Sequence, residues 1–269
     1  MLIATWNVNS VRQRVAHLTE WLAERKPDVV CLQELKCLDE AFPAEPIEAL
    51  GYNVAVHGQK TFNGVAILSK YPLDDVRRGL PGADDDEQAR YIEAIVNAPF
   101  GVVRVASIYL PNGNPIATDK FKYKLAWMDR LAAHIERLLE YEEPLVLAGD
   151  YNVIPEPRDA RDPSLWVNDA LFQPETRAAF RRICGLGLTE AVRGTSDDGG
   201  LYTFWDYQAG AWQRNNGIRI DHLLLSPQAA DLFQEAIIDK HVRGWEKPSD
   251  HVPVIVALSG REAATTGSR

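Results

Sequence analysis

The chain has 269 residues, 46% hydrophobic and 25% charged, a balance that fits a soluble globular protein and excludes disordered and fibrous classes. Its net charge of −9 argues against a surface built for general nucleic-acid binding, so a polyanionic substrate needs a local basic patch or a metal ion. No apolar run approaches the roughly 20 residues that span a bilayer, and the start MLIATWNVNS lacks a signal-peptide pattern. Three cysteines, Cys31, Cys37 and Cys184, are few, odd in number and without metal-ligand spacing, which fits a reducing, cytoplasmic setting.

In chain order, Leu2 to Thr5 reads as a strand leading into Trp6-Asn7-Val8-Asn9. Ser10 and Gln13 have the spacing of a capping box that opens a helix striped by Val11, Val15, Leu18 and Leu22. Val29 to Leu32 is a buried strand that runs straight into Gln33-Glu34. Residues 45–50 form a short helix closed by Gly51; 53–57 and 65–69 then form a hairpin. The acidic run Asp84 to Glu87 is a solvated loop. Residues 91–97 and 102–109 make a second hairpin that ends in Tyr109-Leu110-Pro111-Asn112-Gly113.

Thr118 caps a long helix reaching about Tyr141, with a stripe of Phe121, Leu125, Met128, Leu131, Ile135 and Leu138. The apolar run Leu145 to Ala148 ends at Gly149 and delivers Asp150 and Asn152, two apart, to a polar turn. Residues 154–173 hold no clear period and read as a long covering loop. Pro174 and Gly185 bracket a further helix. Thr203 to Tyr207 is aromatic and strand-like, and Ile218 to Ser226 is a strand with Asp221 near its start. Ser226-Pro227 opens a short helix, and Ser249-Asp250-His251 precede a last strand, 252–258. Hairpins interleaved with helices imply mixed sheets inside one domain, residues 1–259, and 260–269 form a disordered tail.

One pattern recurs: polar groups at the ends of apolar strands. Asn7, Glu34, Tyr109, Asp150, Asn152, Asp221, Asp250 and His251 all lie there. Carboxylate and amide oxygens suit Mg²⁺ or Mn²⁺, and with no cysteine at such an end a zinc–thiolate site is excluded. A lone His251 fits a charged hydrogen-bond donor, oriented by a carboxylate such as Asp221 that raises its pKa. The chain carries neither a Gly-x-Ser-x-Gly elbow nor a Gly-rich loop with lysine, so acyl-enzyme and nucleotide-binding chemistry lack their parts.

The segments TWNVNSVR (5–12), DVVCLQELK (28–36), GYNVAVHGQK (51–60), NGVAILSK (63–70), YLPNG (109–113), LAGDYNVIP (147–155), TFWDY (203–207), NNGIRIDHLLLS (215–226) and EKPSDHVPV (246–254) span the chain in order. They resemble the exonuclease III-type abasic-site endonucleases of the endonuclease/exonuclease/phosphatase superfamily. The resemblance implies an α/β four-layer sandwich, two mixed β-sheets face to face with helices outside. It implies a DNA repair nuclease that cleaves 5′ to abasic sites and trims 3′ ends of duplex DNA as a monomer with Mg²⁺, for which Mn²⁺ substitutes.

By the same resemblance Glu34 holds the metal with Asn7, Asp150, Asn152 and Asp250 near it. Asp150 activates water, oriented by Asn152; Tyr109 and Asn112 contact the phosphate; His251, oriented by Asp221, stabilises negative charge. Relatives with aspartate two positions after Asn7 use it near the metal; here it is Asn9, which disfavours a tight second ion. Phe204, Trp205, Ile218 and Ile220 match the region that receives an extrahelical sugar. Lys60, Arg90, Lys120, Lys122, Arg214 and Lys247 are candidate phosphate contacts, with the 84–87 acidic run on the opposite side. Two competing readings are a phosphatase or phospholipase of the same superfamily, which wants an apolar membrane loop or secretion signal, and a catalytically dead DNA-binding module, which predicts missing site residues.

Overall fold

The computed structural model describes residues 1–99 and 101–259; the tail expected at 260–269 lies outside them. In chain order the described elements are β1 (Leu2–Asn7), α1 (Val11–Arg25), β2 (Val29–Gln33), α2 (Ala44–Glu48), β3 (Asn53–His57), β4 (Val65–Ser69), β5 (Leu73–Arg78), β6 (Tyr91–Ala98), β7 (Gly101–Tyr109), α3 (Asp119–Leu139), β8 (Leu145–Asp150), α4 (Pro174–Cys184), β9 (Thr189–Glu190), α5 (Ala191–Thr195), β10 (Asp221–Leu225), α6 (Pro227–Ala230), β11 (Phe233–Ile238) and β12 (Val254–Leu258). One sheet runs β11-β12-β1-β2-β4-β3 and the other β5-β6-β7-β8-β10-β9. Both are mixed: β1–β2 and β7–β8 are parallel, and the other pairs are antiparallel.

Alternation along the strands makes three cores. Ile3, Val29, Cys31, Val65 and Ile67 face Ile92, Val105, Val146, Ala148 and Leu223 between the sheets. The other face of the first sheet, with Ala4, Trp6, Val30 and Leu32, packs on Leu18, Trp21 and Leu22 of α1. The other face of the second, with Tyr91, Ala106, Ile108 and Leu147, packs on Trp127, Met128, Leu131 and Ile135 of α3 and on Phe180 of α4. The result is the expected helix–sheet–sheet–helix sandwich.

Two crossovers fix where the polar strand ends go. Parallel β1 and β2, joined through α1, finish side by side at Asn7 and Gln33. Parallel β7 and β8, joined through α3, finish side by side at Tyr109 and Asp150. Antiparallel β10 begins with Asp221 opposite Asp150. Antiparallel β12 lies on β1 with Val254 opposite Thr5, which brings His251 to the same edge. Gly149 is forced by this packing: a Cβ there would lie 2.0 Å from the Ile108 carbonyl oxygen.

The structure departs from the sequence reading in several places. Ser10 makes no side-chain cap; it has φ 82°, and its N–H donates to the Glu34 carbonyl at 2.8 Å, while Gln13 accepts from Arg14. Tertiary bonding to the turn after β2 takes the place of the capping box. Residues 203–207 are not a strand; Phe204 makes only isolated bridges to Ile218 and His251. The edge strands β5 and β11, the two-residue β9 and the short α5 were not anticipated. In β5 and β11 charged or polar outward residues interrupt a weak apolar alternation, LDDVRR and FQEAII. Gly185 caps α4 in the right-handed region, φ −65°, so the left-handed turn falls at Gly187 instead.

A buried ion network props the loop after β8 from behind. Arg219, 1% exposed, lies 2.8 Å from Asp159 and 3.0 Å from Glu190, and Arg193 also reaches Asp159. His222 accepts from Arg219 at Nδ1 (3.0 Å) and donates from Nε2 to the Val153 carbonyl (3.1 Å). Burial raises the Glu190 pKa, but the Arg219 guanidinium outweighs it and holds it down to about 2. The stability this ionised form supplies is complete above the ordinary value of 4.5 and is lost as pH falls toward 2. Arg219→Met removes the buried cation that Asp159 and Glu190 share and should cost about 3–5 kcal/mol in denaturant unfolding near pH 7. The same variant should flatten the stability loss measured between pH 4.5 and about 2.

Candidate active site

At the shared strand edge, Asn7 from the first sheet donates its side-chain amide to Glu34 Oε1 at 2.9 Å and to Asp150 Oδ2 at 3.0 Å. Its own Oδ1 accepts from the Asn9 N–H at 3.0 Å. Glu34 follows β2 with φ 54°, a left-handed conformation uncommon for a side chain of this type. Lys36 sits 2.8 Å from Glu34 Oε2 and donates to Asn9 Oδ1 at 2.5 Å. Burial raises the Glu34 pKa, but Lys36 and the Asn7 amide outweigh it, so the carboxylate stays ionised below its ordinary range.

Across the cleft, Asp150 is 1% exposed and Asn152, at φ 48°, donates its backbone N–H to Asp150 Oδ1 at 2.9 Å. Asp221 is fully buried at the start of β10 and accepts from Thr203 Oγ1 at 2.6 Å. His251 Nδ1 donates to Asp221 Oδ2 at 2.8 Å, and Nε2 lies 3.7 Å from Asp150 Oδ2, beyond hydrogen-bond reach. Burial opposes charge on His251, but Asp221 and Asp150 outweigh it and push its pKa up to about 10. Burial pushes the Asp150 carboxyl up to about 7, against the pull of His251.

Ligand atoms of Glu34, Asp150 and His251 all lie within 4.8 Å of one another, the one such group found among the described residues. A hard divalent cation prefers oxygen donors, so the groups of this cluster that fit one are the Glu34 and Asp150 carboxylates. Other residues expected at the metal sit differently. The Asn7 amide nitrogen, not its oxygen, faces the carboxylates. Asn152 accepts from Asn112 Nδ2 at 3.3 Å and donates to the Leu110 carbonyl at 2.9 Å. Asp250 accepts from Asn9 Nδ2 at 3.1 Å and lies outside the cluster.

Tyr109 is half-buried beside this centre; burial and then the charges of Glu34 and Asp150 push its pKa well up, so its hydroxyl keeps its proton. Arg90 stacks on the Tyr109 ring at 4.9 Å and, with Asn112, Lys120 and Tyr123, lines a recess of about 350 Å³. Lys60, with Arg12 and Lys36, lines a second recess of about 440 Å³. Lys122 pairs with Asp119, and exposed Lys247 lies 3.8 Å from Glu246. The acidic run does not keep wholly to the far side. Asp86 accepts from Tyr123, a wall of the Arg90 recess, and from Arg130 at 2.7 Å.

The expected sugar pocket is corrected. Trp205 is 0% exposed and packs against Tyr202 and Trp212, so it belongs to the core. Ile218 and Ile220 are each 2% exposed beneath Leu171 and Phe172 of the covering loop. Phe204 keeps open surface: it stands edge-on to His251 at 5.0 Å and lines a recess of about 200 Å³ with Trp166 and Ile218.

Sequence reasoning missed Arg12, Lys36, Thr203 and Lys124. The first two were visible as cations flanking the Asn9 and Glu34 segments. Thr203 and Lys124 had no signal, because their partners are remote backbone atoms or a carboxylate on another strand.

A family model described as the Endonuclease/Exonuclease/phosphatase family matches residues 4–251. An exodeoxyribonuclease III of Haemophilus influenzae is 35% identical over 264 residues, covering 94% of this chain and 98% of that protein. A 3′ phosphatase from Neisseria, solved with a product DNA hairpin, superposes with a TM-score of 0.92 at 38% identity, covering 96% of this chain and 99% of that one. An AP endonuclease from Archaeoglobus fulgidus gives a TM-score of 0.91 at 36% identity, covering 96% and 99%.

The His251 charge depends on Asp221, which gives a direct measurement. Its ion-pair stabilisation is complete below pH 6.5 and drains away as pH rises from there to about 10. In Asp221→Asn, the His251 midpoint followed by NMR should drop toward 6.5, and the alkaline loss of stability should shift with it.

Proposed function

The chain belongs to the endonuclease/exonuclease/phosphatase family, and from that premise we propose that it is a Mg²⁺-dependent DNA repair nuclease that trims 3′ ends of duplex DNA and cleaves the phosphodiester 5′ to abasic sites. It is a hydrolase of the exodeoxyribonuclease III and abasic-site endonuclease type. The observation that carries the finer reading is the meeting of Glu34, Asp150 and His251 ligand atoms within 4.8 Å.

Asp150 takes the proton of the attacking water, and the Asn152 N–H on Oδ1 orients the carboxylate so that Oδ2 turns toward Asn7 and His251. The protonated His251 donates toward charge that grows on the phosphate, with Asp221 and Thr203 holding the ring in place. Tyr109 and Asn112 hydrogen-bond the phosphate from the second sheet. A divalent cation held by Glu34 and Asp150 supplies Lewis-acid stabilisation of the phosphate when bound. The cations Arg12, Lys36 and Lys60 on one side and Arg90 and Lys120 on the other give an acidic chain a local basic track for the DNA backbone. The Phe204 recess takes the base-free sugar, with the covering loop at Leu171 setting how deep it enters.

Two assays test this reading. A duplex with one abasic site, and a duplex with a recessed 3′ end, should be cut in Mg²⁺ or Mn²⁺ and left intact in EDTA; an uncut duplex in Mg²⁺ refutes the function. Asp150→Asn should lower kcat by about 10²–10⁴-fold while circular dichroism and DNA affinity stay near wild type.

A further inference from the structure

Lys124 lies in the first half of α3 with no exposed surface. Its side-chain nitrogen donates to the Asn152 carbonyl at 2.6 Å and to the Asn112 carbonyl at 3.0 Å. Both acceptors are neutral carbonyls, and burial pushes the pKa of this amine down to about 7. Burying an amine is costly, and here it supplies the donor for the buried Asn152 carbonyl.

The neighbouring backbone makes room for it. Gly113 has φ 91°, and a Cβ there would sit 2.6 Å from Lys124 Cδ. The two carbonyls belong to the loops that follow β7 and β8. Those loops carry Asn112, whose amide reaches Asn152 Oδ1 at 3.3 Å, and Asn152, whose N–H holds Asp150 Oδ1 at 2.9 Å. One side-chain nitrogen thus ties together, from behind the cleft, the two segments that must agree in position for a phosphate contact and a general base to address the same atom.

We propose that Lys124 is a positioning residue for the hydrolytic step: its buried side-chain nitrogen, by donating to both carbonyls, cross-links the loops after β7 and β8 and keeps Asn112 and Asn152 aligned with Asp150. The proposal rests on the nuclease reading above and concerns kcat, not DNA affinity.

Lys124→Met keeps the stem and removes the donor; Lys124→Ala opens a space that a small amine can enter. Cleavage of the recessed-end duplex in Mg²⁺ is measured for wild type and both variants, the alanine variant with and without ethylamine or propanol. Wild-type cleavage is the first arm: its failure refutes the nuclease reading itself. With active wild type, Lys124→Met should still fold, keep KM within about threefold, and lose about 10–100-fold in kcat. Ethylamine should restore much of the Lys124→Ala loss, and propanol should not. A methionine variant as fast as wild type, equal rescue by amine and alcohol, or failure of both variants to fold overturns the proposal. If only the methionine variant fails to fold, amine-specific rescue of the alanine variant supports it and absence of rescue overturns it.

Discussion

The side-chain amide of Asn7 holds two carboxylates that come from opposite sheets, Glu34 from the first and Asp150 from the second. Without a donor between them these anions would repel across the cleft. The sheets are tied just below by a second polar bridge. Gln33 accepts from Thr5 Oγ1 at 3.1 Å and donates to Ser107 Oγ at 3.0 Å, and Ser107 donates to the Leu32 carbonyl at 2.9 Å. In an otherwise apolar interface these bonds fix the relative slide of the two sheets, because breaking them strands buried polar groups. The catalytic geometry is therefore a property of the sheet–sheet interface as much as of any loop.

Charge balance in the cleft is handled locally. The chain is acidic overall, yet every anion of the centre has a cation or donor dedicated to it: Lys36 for Glu34, His251 for Asp221, the Asn152 N–H for Asp150. The backbone bears part of the cost. Asn9, Ser10, Glu34, Lys36 and Asn152 all have positive φ, each in a turn at a strand end. Such conformations cost about 1–3 kcal/mol apiece and persist where the surrounding fold over-determines them. Here the fold does so by bonding Ser10 N–H to Glu34 O and Val11 N–H to Leu35 O, so two strained turns hold each other.

Much of this was legible in the sequence for a physical reason. Strands buried on both faces read as apolar runs, and polar groups that interrupt them at the ends are conspicuous; Glu34, Asp150, Asp221 and His251 were found that way. The strand bounds 53–57 and 65–69 came out as read because both ends carry turn residues. What stayed hidden depends on tertiary partners. The capping box at Ser10 lost to backbone bonds from a segment 24 residues away. The edge strands β5 and β11 lack the apolar density that marks interior ones. Trp205 looked like a pocket wall, yet an aromatic in a polar stretch is equally well explained by burial, and only coordinates decide between them. The Lys124 contact escaped entirely, since a lysine on a helix reads as solvated.

Gly149 shows how far upstream of the chemistry the geometry is set. Because the Ile108 carbonyl occupies the space a methyl would need, β7 and β8 leave no room for a side chain at that point. One residue later in each strand, Tyr109 and Asp150 stand directly opposite. The gap between phenol and carboxylate is thus gauged by a hydrogen atom on a residue that meets neither water nor substrate. Any larger residue there would act as a wedge, prying the proton acceptor from its phosphate-binding neighbour while leaving every functional group chemically intact.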